Sequence, residues 1–344
     1  MGVSKVVYNG NTLIDLTSDT VTADKLAKGY TAHTQAGELI TGTMESGGGA
    51  TYDDYITYIT GASTSWTAPN VETLRPYCCA GNTLTEVTLP EGLKTLGDYA
   101  FTYSTRLKSI TLPSTLTTIG KYCFGNSALT SIEIPEGVTE LGYHSFAESQ
   151  LTSVSIPSTV YSNSSTGSGA FYDCYMLSSV SLAEGITSLG QDIFMKCSRL
   201  QTITLPQSLK YIPMNMFYSS GLKTITTPPN VIYIFGSAFA KCSNLTTAVI
   251  EGNPIIQSSI FWEVPSLKTV TFTGSPTLYD NVCSSCTALT TVTFKGTPES
   301  MTSNVFNSCT ALTDIYVPWA EGAVANAPWG ATNATIHYNT TYDE

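Results

Sequence analysis

Residues 107–128, LKSITLPSTLTTIGKYCFGNSA, are followed directly by LTSIEIPEGVTELGYHSFAESQ, residues 129–150. Aligned on the leading leucine, the pattern starts at Leu84, Leu107, Leu129, Leu151, Leu177, Leu200, Leu222, Leu245, Leu267 and Leu289, with a partial eleventh unit from Leu312. A half-unit, WTAPNVETLRPYCCAGNT from Trp66, precedes the first. The spacing is 22 or 23 residues except for one interval of 26. A fixed period in this range marks a solenoid, in which each coil contacts only its neighbours.

The unit reads L-x-x-Φ-x-Φ-P-x-x-Φ-x-x-Φ-G-x-x-x-F-x-x-(C/S)-x-x, with Φ aliphatic. Two apolar residues two apart, as in ITLP, face one side of a short strand. The proline after them (Pro90, Pro113, Pro135, Pro157, Pro206) lacks an N–H and stops that strand. The glycine after the second Φ pair (Gly97, Gly120, Gly142, Gly190) predicts a turn with an unusual backbone angle. The stretch from Phe to the next Leu, as in YAFTYSTRL, has room for one helical turn. No single coil buries its own apolar face. Stacked about 4.8 Å apart, the Leu, Ile and Phe positions become continuous ladders. Each buried side chain then contributes about 1.5–3 kcal/mol.

Residues 66–338 so patterned resemble the leucine-rich repeats of the BspA type, a bacterial family; LTSIEIPEGVTELGYHSFAES is close to its consensus. LTDIYVPWAEGAVANAPWGATNATIHY is similar to the segment that closes such arrays. The resemblance implies surface or secreted proteins associated with adhesion rather than catalysis. Residues 1–46 differ: they read as two strands, a short helix capped near Thr22, and a hairpin turning at QAGE. GYTAHTQAGELITGTM within them resembles a small module of bacteriophage and prophage tail-associated proteins. The expected fold class is thus a repeat solenoid with short parallel strands and short helical turns, on a small α+β N-terminal module. The expected domains are an attachment module over 1–46, a Gly-rich linker over 47–50 within ESGGGA, a cap and half-repeat over 51–83, ten repeats over 84–311, and a C-terminal cap over 312–344.

Only 12% of the 344 residues are charged, the net charge is −11 and the pI about 4.7. That balance argues against nucleic acid and anionic membrane, which reward basic patches. No stretch has the roughly 18 apolar residues of a membrane span. MGVSKVVYNGNTLIDL has no apolar run like that of a signal peptide, so a route outward by removal of a leader or by release within a virus particle is expected.

Cysteine follows the repeat. Cys174, Cys197, Cys242, Cys286 and Cys309 stand three before the next leucine, and Cys78 and Cys283 are placed at the phenylalanine position. Stacked positions have parallel Cβ vectors, which suits packing better than bridging. CSSC at 283–286 has zinc or redox spacing but no second pair. His33, His144 and His337 sit in no nucleophile or metal motif, and GSG at 167–169 lacks the setting of a phosphate loop. No enzyme activity, metal or cofactor is expected.

Two faces could meet a partner. On the strands, Thr202 and Thr204, Thr224 and Thr226, Thr269 and Thr271, and Thr291 and Thr293 make hydroxyl rows like those of ice-binding solenoids. Lys108, Glu133 and Lys268 disturb their regularity, and Thr is an ordinary residue for an exposed strand. On the loop side, aromatics collect outside the core positions: Tyr99, Tyr103, Tyr122, Tyr143, Tyr161, Tyr172, Tyr175, Tyr218 and Trp262. Such rings pave coil edges or, with large area and a polar tip, hold a partner. VYSNSSTGSGAF, residues 160–171, carries the insertion of the 26-residue coil, a loop on one face. The expected function is non-enzymatic recognition outside the cell, on a virion or on a bacterial surface. It is that of a phage tail-associated receptor-binding or host-adhesion protein, of a BspA-type adhesin, or of a structural spacer. The expected partner is a protein or glycan on a cell surface, without nucleic acid or membrane insertion, and with homo-oligomerisation through the N-terminal module.

Overall fold

The computed structural model describes residues 64–160 and 168–340, together with four short strands nearer the N-terminus. The chain divides into two units, Met1–Tyr58 and Ile59–Glu344. In the first, Lys5–Tyr8 pairs antiparallel with Asn11–Asp15, and Thr31–His33 with Leu39–Thr41. The two strands flanking QAGE therefore pair as expected, and QAGE itself lies outside the described residues. The helix expected near Thr22 and the linker at 45–50 lie outside the described residues.

The second unit is a β-solenoid of about 12 coils. One strand row recurs along its length as three sheets, every pair parallel and in register. At the C-terminal end Ile225, Ala248, Val270, Val292, Ile315 and Ile336 stand directly above one another. A second row of two-residue strands aligns Leu74, Leu96, Ile119 and Leu141, and further on Ile212, Ile234, Ile256, Leu278 and Met301. The third side is a column of fully buried rings. Phe101, Phe124, Phe146, Phe171, Phe194, Phe217, Phe239 and Phe261 stack at centroid spacings of 5.2–5.9 Å. The leading leucines from Leu84 to Leu312 are all buried. Four apolar positions per period thus close one core.

Three expectations are corrected. Among the described residues there is no α-helix. Instead the segment around each Phe divides its amides: Tyr99, Phe101 and Tyr103 donate to Lys121, Cys123 and Gly125 of the next coil, while Ala100, Thr102 and Ser104 donate back three residues. Left-handed residues flank each ring at two positions before and two after, as at Tyr99 (φ 59°) and Tyr103 (φ 55°), and these interrupt any helical run. Nor do Gly97, Gly120 and Gly142 have a positive φ. A Cβ on Gly120 would lie 2.6 Å from the Asp98 backbone nitrogen, and one on Gly142 2.5 Å from the Gly120 carbonyl carbon. Glycine is required there because backbones of successive coils touch. Finally, Cys79 rather than Cys78 takes the phenylalanine position: its amide donates to Ala100 O as Phe101 donates to Cys123 O, and it is buried where Cys78 is not.

All nine cysteines are free thiols. The thiols three residues after the ring donate to the ring residue's carbonyl one coil earlier: Cys174 to Phe146 (3.1 Å), Cys197 to Phe171 (3.3 Å), Cys242 to Phe217 (3.0 Å), Cys286 to Phe261 (2.9 Å) and Cys309 to Cys283 (2.8 Å). Sulfur here is core packing with one weak donor satisfied.

Candidate recognition surface

The left-handed position two before the ring holds Tyr77, Tyr99, Tyr122 and His144 in four successive coils (φ 60°, 59°, 49° and 54°). In-register coils bring the rings into a row. Tyr77 stacks on Tyr99 at 4.7 Å and Tyr99 on Tyr122 at 5.2 Å, within 9° of parallel. Tyr122 then meets Tyr143 and His144 edge-on, at 5.6 and 5.1 Å. His144 lies flat between Tyr143 (3.9 Å) and Tyr172 (4.7 Å). Four residues singled out in the sequence, Tyr99, Tyr122, Tyr143 and Tyr172, therefore belong to one surface.

Tyr77 and His144 complete that surface and were missed. The signal was available: both stand two residues before a ring position, aligned with Tyr99 and Tyr122.

Stacking decides what the row offers. Parallel rings 4.7–5.2 Å apart cover one another's faces, so the interior of the row presents edges and phenol hydroxyls. Burial in the stack, helped by Tyr143, pushes the Tyr122 phenol up to about 12, so it stays a neutral donor and acceptor. Desolvation holds the His144 imidazole below its ordinary range, with Asp192 opposing. The row is thus uncharged near neutral pH.

The other singled-out residues lie elsewhere. Tyr103 and Tyr175, both exposed, stand after the ring rather than before it. Tyr218 and Trp262 occupy the position directly after Phe217 and Phe261, and Lys241 lies over both rings at 5.8 and 4.6 Å while pairing with Glu263 at 3.4 Å. Tyr172 shares that position and accepts a 2.6 Å hydrogen bond from Lys196 Nζ, which holds the ammonium above its usual range. Tyr161 lies outside the described residues.

The threonine rows exist in part: Thr224, Thr247, Thr269 and Thr291 are in register, but Val249 interrupts the companion row of Thr226, Thr271 and Thr293. An apolar surface on the second strand row was also missed, with Tyr211, Ile232 and Ile255 exposed. His337 bonds to Asp314 at 2.8 Å and stacks on Tyr316, and Thr313 Oγ1 donates to the other Asp314 carboxylate oxygen at 2.8 Å. Also among the described residues, no three His, Cys, Asp or Glu side chains gather as a metal set, and no helix is long and apolar enough to cross a membrane.

Comparison with known proteins agrees with the repeat geometry. The profile described as BspA type Leucine rich repeat region (6 copies) matches residues 72–166, 164–283 and 255–322, together well over half the chain. A leucine-rich repeat protein from Bacteroides ovatus has a similar crystal structure: TM-score 0.55 and 21% identity, covering 80% of this chain and 82% of that one. The pneumococcal vaccine antigen PcpA matches at TM-score 0.46 and 18% identity, over 98% of this chain and 96% of its own. A leucine rich cell surface protein from Faecalibacterium prausnitzii matches at TM-score 0.41 and 21% identity, over 82% and 89%. No curated protein sequence matches. With ten complete periods, the ladder geometry and the profile in agreement, the chain belongs to the BspA-type leucine-rich repeat family.

Proposed function

We propose that the chain is a non-catalytic recognition protein acting outside the cell, on a virion or a bacterial surface, with a protein or glycan of a cell surface as its partner. The observation that carries this reading is the aromatic row. Four consecutive coils place Tyr or His at a left-handed backbone position, where later coils use Asp192, Asn215, Ser237 and Ser259. Left-handed backbone costs an L-residue about 1–2 kcal/mol, and Asn or Asp there recover part of it through local hydrogen bonds. Each stacked pair returns about 0.5–1.5 kcal/mol. Stability alone therefore gives little reason to prefer rings, and a solvent-facing row of phenols has an evident use in binding.

Family membership supports a binding scaffold. For the setting, the phage tail is favoured by the resemblance of residues 29–44, whose hairpin lies in a separate compact unit that would also carry oligomerisation. A secreted BspA-type adhesin is the second reading, for which family membership speaks. The test is saturable binding of labelled full-length protein to a panel of bacterial cells. Tyr99→Ser with Tyr122→Ser and Tyr143→Ser should abolish it without lowering the melting temperature by more than a few degrees. Binding untouched by the triple substitution, or no binding to any cell, overturns the assignment.

A further inference from the structure

Asn126, Glu148 and Asp173 occupy the left-handed position two after Phe in three successive coils. With Ser127, Gln150 and Tyr175 they line a cleft of about 320 Å3, within the range of small-ligand sites. Ser127 forms its floor, only 2% exposed, and its Oγ has no hydrogen-bond partner. Its counterparts in the same column use theirs: Ser104 donates to Cys79 O and Cys174 to Phe146 O. Neither carboxylate accepts a side-chain hydrogen bond among the described residues; Lys196 in the following coil donates its Nζ to Tyr172 Oη, and its ammonium attracts both carboxylates without bonding to either. Tyr175 stands 47% exposed and, unlike the ring row, stacks on no ring among the described residues.

We propose that this cleft binds the terminal hexose of an uncharged glycan. Vicinal sugar hydroxyls donate to the Glu148 and Asp173 carboxylates, while Asn126 and Gln150 can donate and accept on the same ring. The exposed Tyr175 ring suits the apolar C–H face of a pyranose. Two carboxylates with no third ligand among the described residues do not make a cation site, and their negative charge, only partly offset by Lys196, repels sialylated or sulfated sugars. The inference rests on the recognition reading but places sugar contact on a different column of residues from the aromatic row.

Full-length protein is titrated with a panel of neutral, sialylated and sulfated glycans by array, then by calorimetry. The expected result is saturable binding of at least one neutral hexose-terminated glycan. Asp173→Asn, which loses one charge-assisted contact, and Tyr175→Ala, which loses the ring against the sugar face, should each weaken it about tenfold or more. Tyr103→Ala, an exposed ring outside the cleft, should leave it unchanged. No binding of neutral glycans at millimolar concentration, equal binding of sialylated ones, or indifference to both cleft variants overturns the proposal. Cell binding that persists in Asp173→Asn but disappears with the Tyr99, Tyr122 and Tyr143 substitutions refutes the cleft while leaving the recognition role intact.

Discussion

Gly142→Ala is the sharpest test of how the coils stack. Gly142 has no left-handed φ, so on local grounds alanine is acceptable. By itself the change would stabilise the protein by about 0.4–1 kcal/mol through the unfolded chain. The packing reverses that sign. An added Cβ would lie 2.5 Å from Gly120 C and from Lys121 N and 2.9 Å from Gly120 O, all backbone atoms of the preceding coil. No side chain can rotate aside, so the coils must part by several tenths of an ångström. That strains the Gly142 N–H bond to Ile119 O (2.7 Å) and the adjoining pairing of Glu140–Leu141 with Thr118–Ile119. Overpacking typically costs 1–3 kcal/mol, and a site walled by backbone belongs at the upper end, about 3 kcal/mol. For a unit of this size the melting temperature falls by roughly 6–12 °C, at about 2–4 °C per kcal/mol. Thermal unfolding followed by circular dichroism reads this directly. A neutral or stabilised Gly142→Ala would refute the close-approach account and restore glycine to an ordinary turn role.

Other consequences follow from the same geometry. Phe194→Ala removes a fully buried ring stacked on Phe171 and Phe217 and should cost about 3–5 kcal/mol in chemical denaturation, whereas a loss under 1 kcal/mol would contradict the column as the core. Burial pushes the Cys174 and Cys242 thiols up to about 12 and about 11, so iodoacetamide at pH 8 should label native protein at Cys78 and leave those two unmodified by mass spectrometry. His144 should titrate below 6.5 by NMR; the unfolded chain then takes its proton first as pH falls, and stability declines in the window beneath 6.5. Tyr143→Ala, which uncovers one face of the imidazole, should narrow that window, and wild-type titration at or above 6.5 would contradict the stacked environment.

The repeat register and the core were legible because burial demands the same residue type once per period. Leu107, Ile119 and Phe124 recur at one spacing, and all three are fully buried. The segment between ring and leucine was not legible as turns. Its left-handed positions are filled by Tyr103, Glu148, Lys196 and Lys241, which lack the usual Gly or Asn signal. Glycine itself misled, since Gly97 and Gly120 serve contact between backbones and the positive angles fall two residues later. Cys78 and Cys79 were confused where the half-unit lacks both its leading leucine and its phenylalanine, so nothing anchored the count. Of the surface, the aromatic content was visible residue by residue. Its grouping into a stack, a lysine-bridged pair and a cleft depended on columns that only in-register coils define.

The end of the aromatic row shows how such a scaffold distributes its roles. After His144 the column holds Gly169, and a Cβ there would lie 2.5 Å from the His144 ring carbon Cδ2. Glycine thus admits the imidazole against the next coil, and the stack passes from the position before the ring to Tyr172, directly after it. Beyond that point the column turns polar: Asp192 accepts from Ser168 Oγ and from Asn215 Nδ2, each at 2.9 Å. The change comes in the coil that carries the insertion, and Asp173 and Tyr175 of the proposed cleft belong to that same coil. Inward columns tolerate little variation in size and polarity, because a ring such as Phe194 packs on one ring above and one below, and the positions without a ring hold Cys79 and Cys283. Any outward column can be rewritten coil by coil, and the shared register turns each such choice into a continuous strip. The proposed recognition needs no pocket carved into the core: a short run of coils with altered outward residues is sufficient, and in this chain that run extends from Tyr77 to Tyr175, ending in the insertion coil.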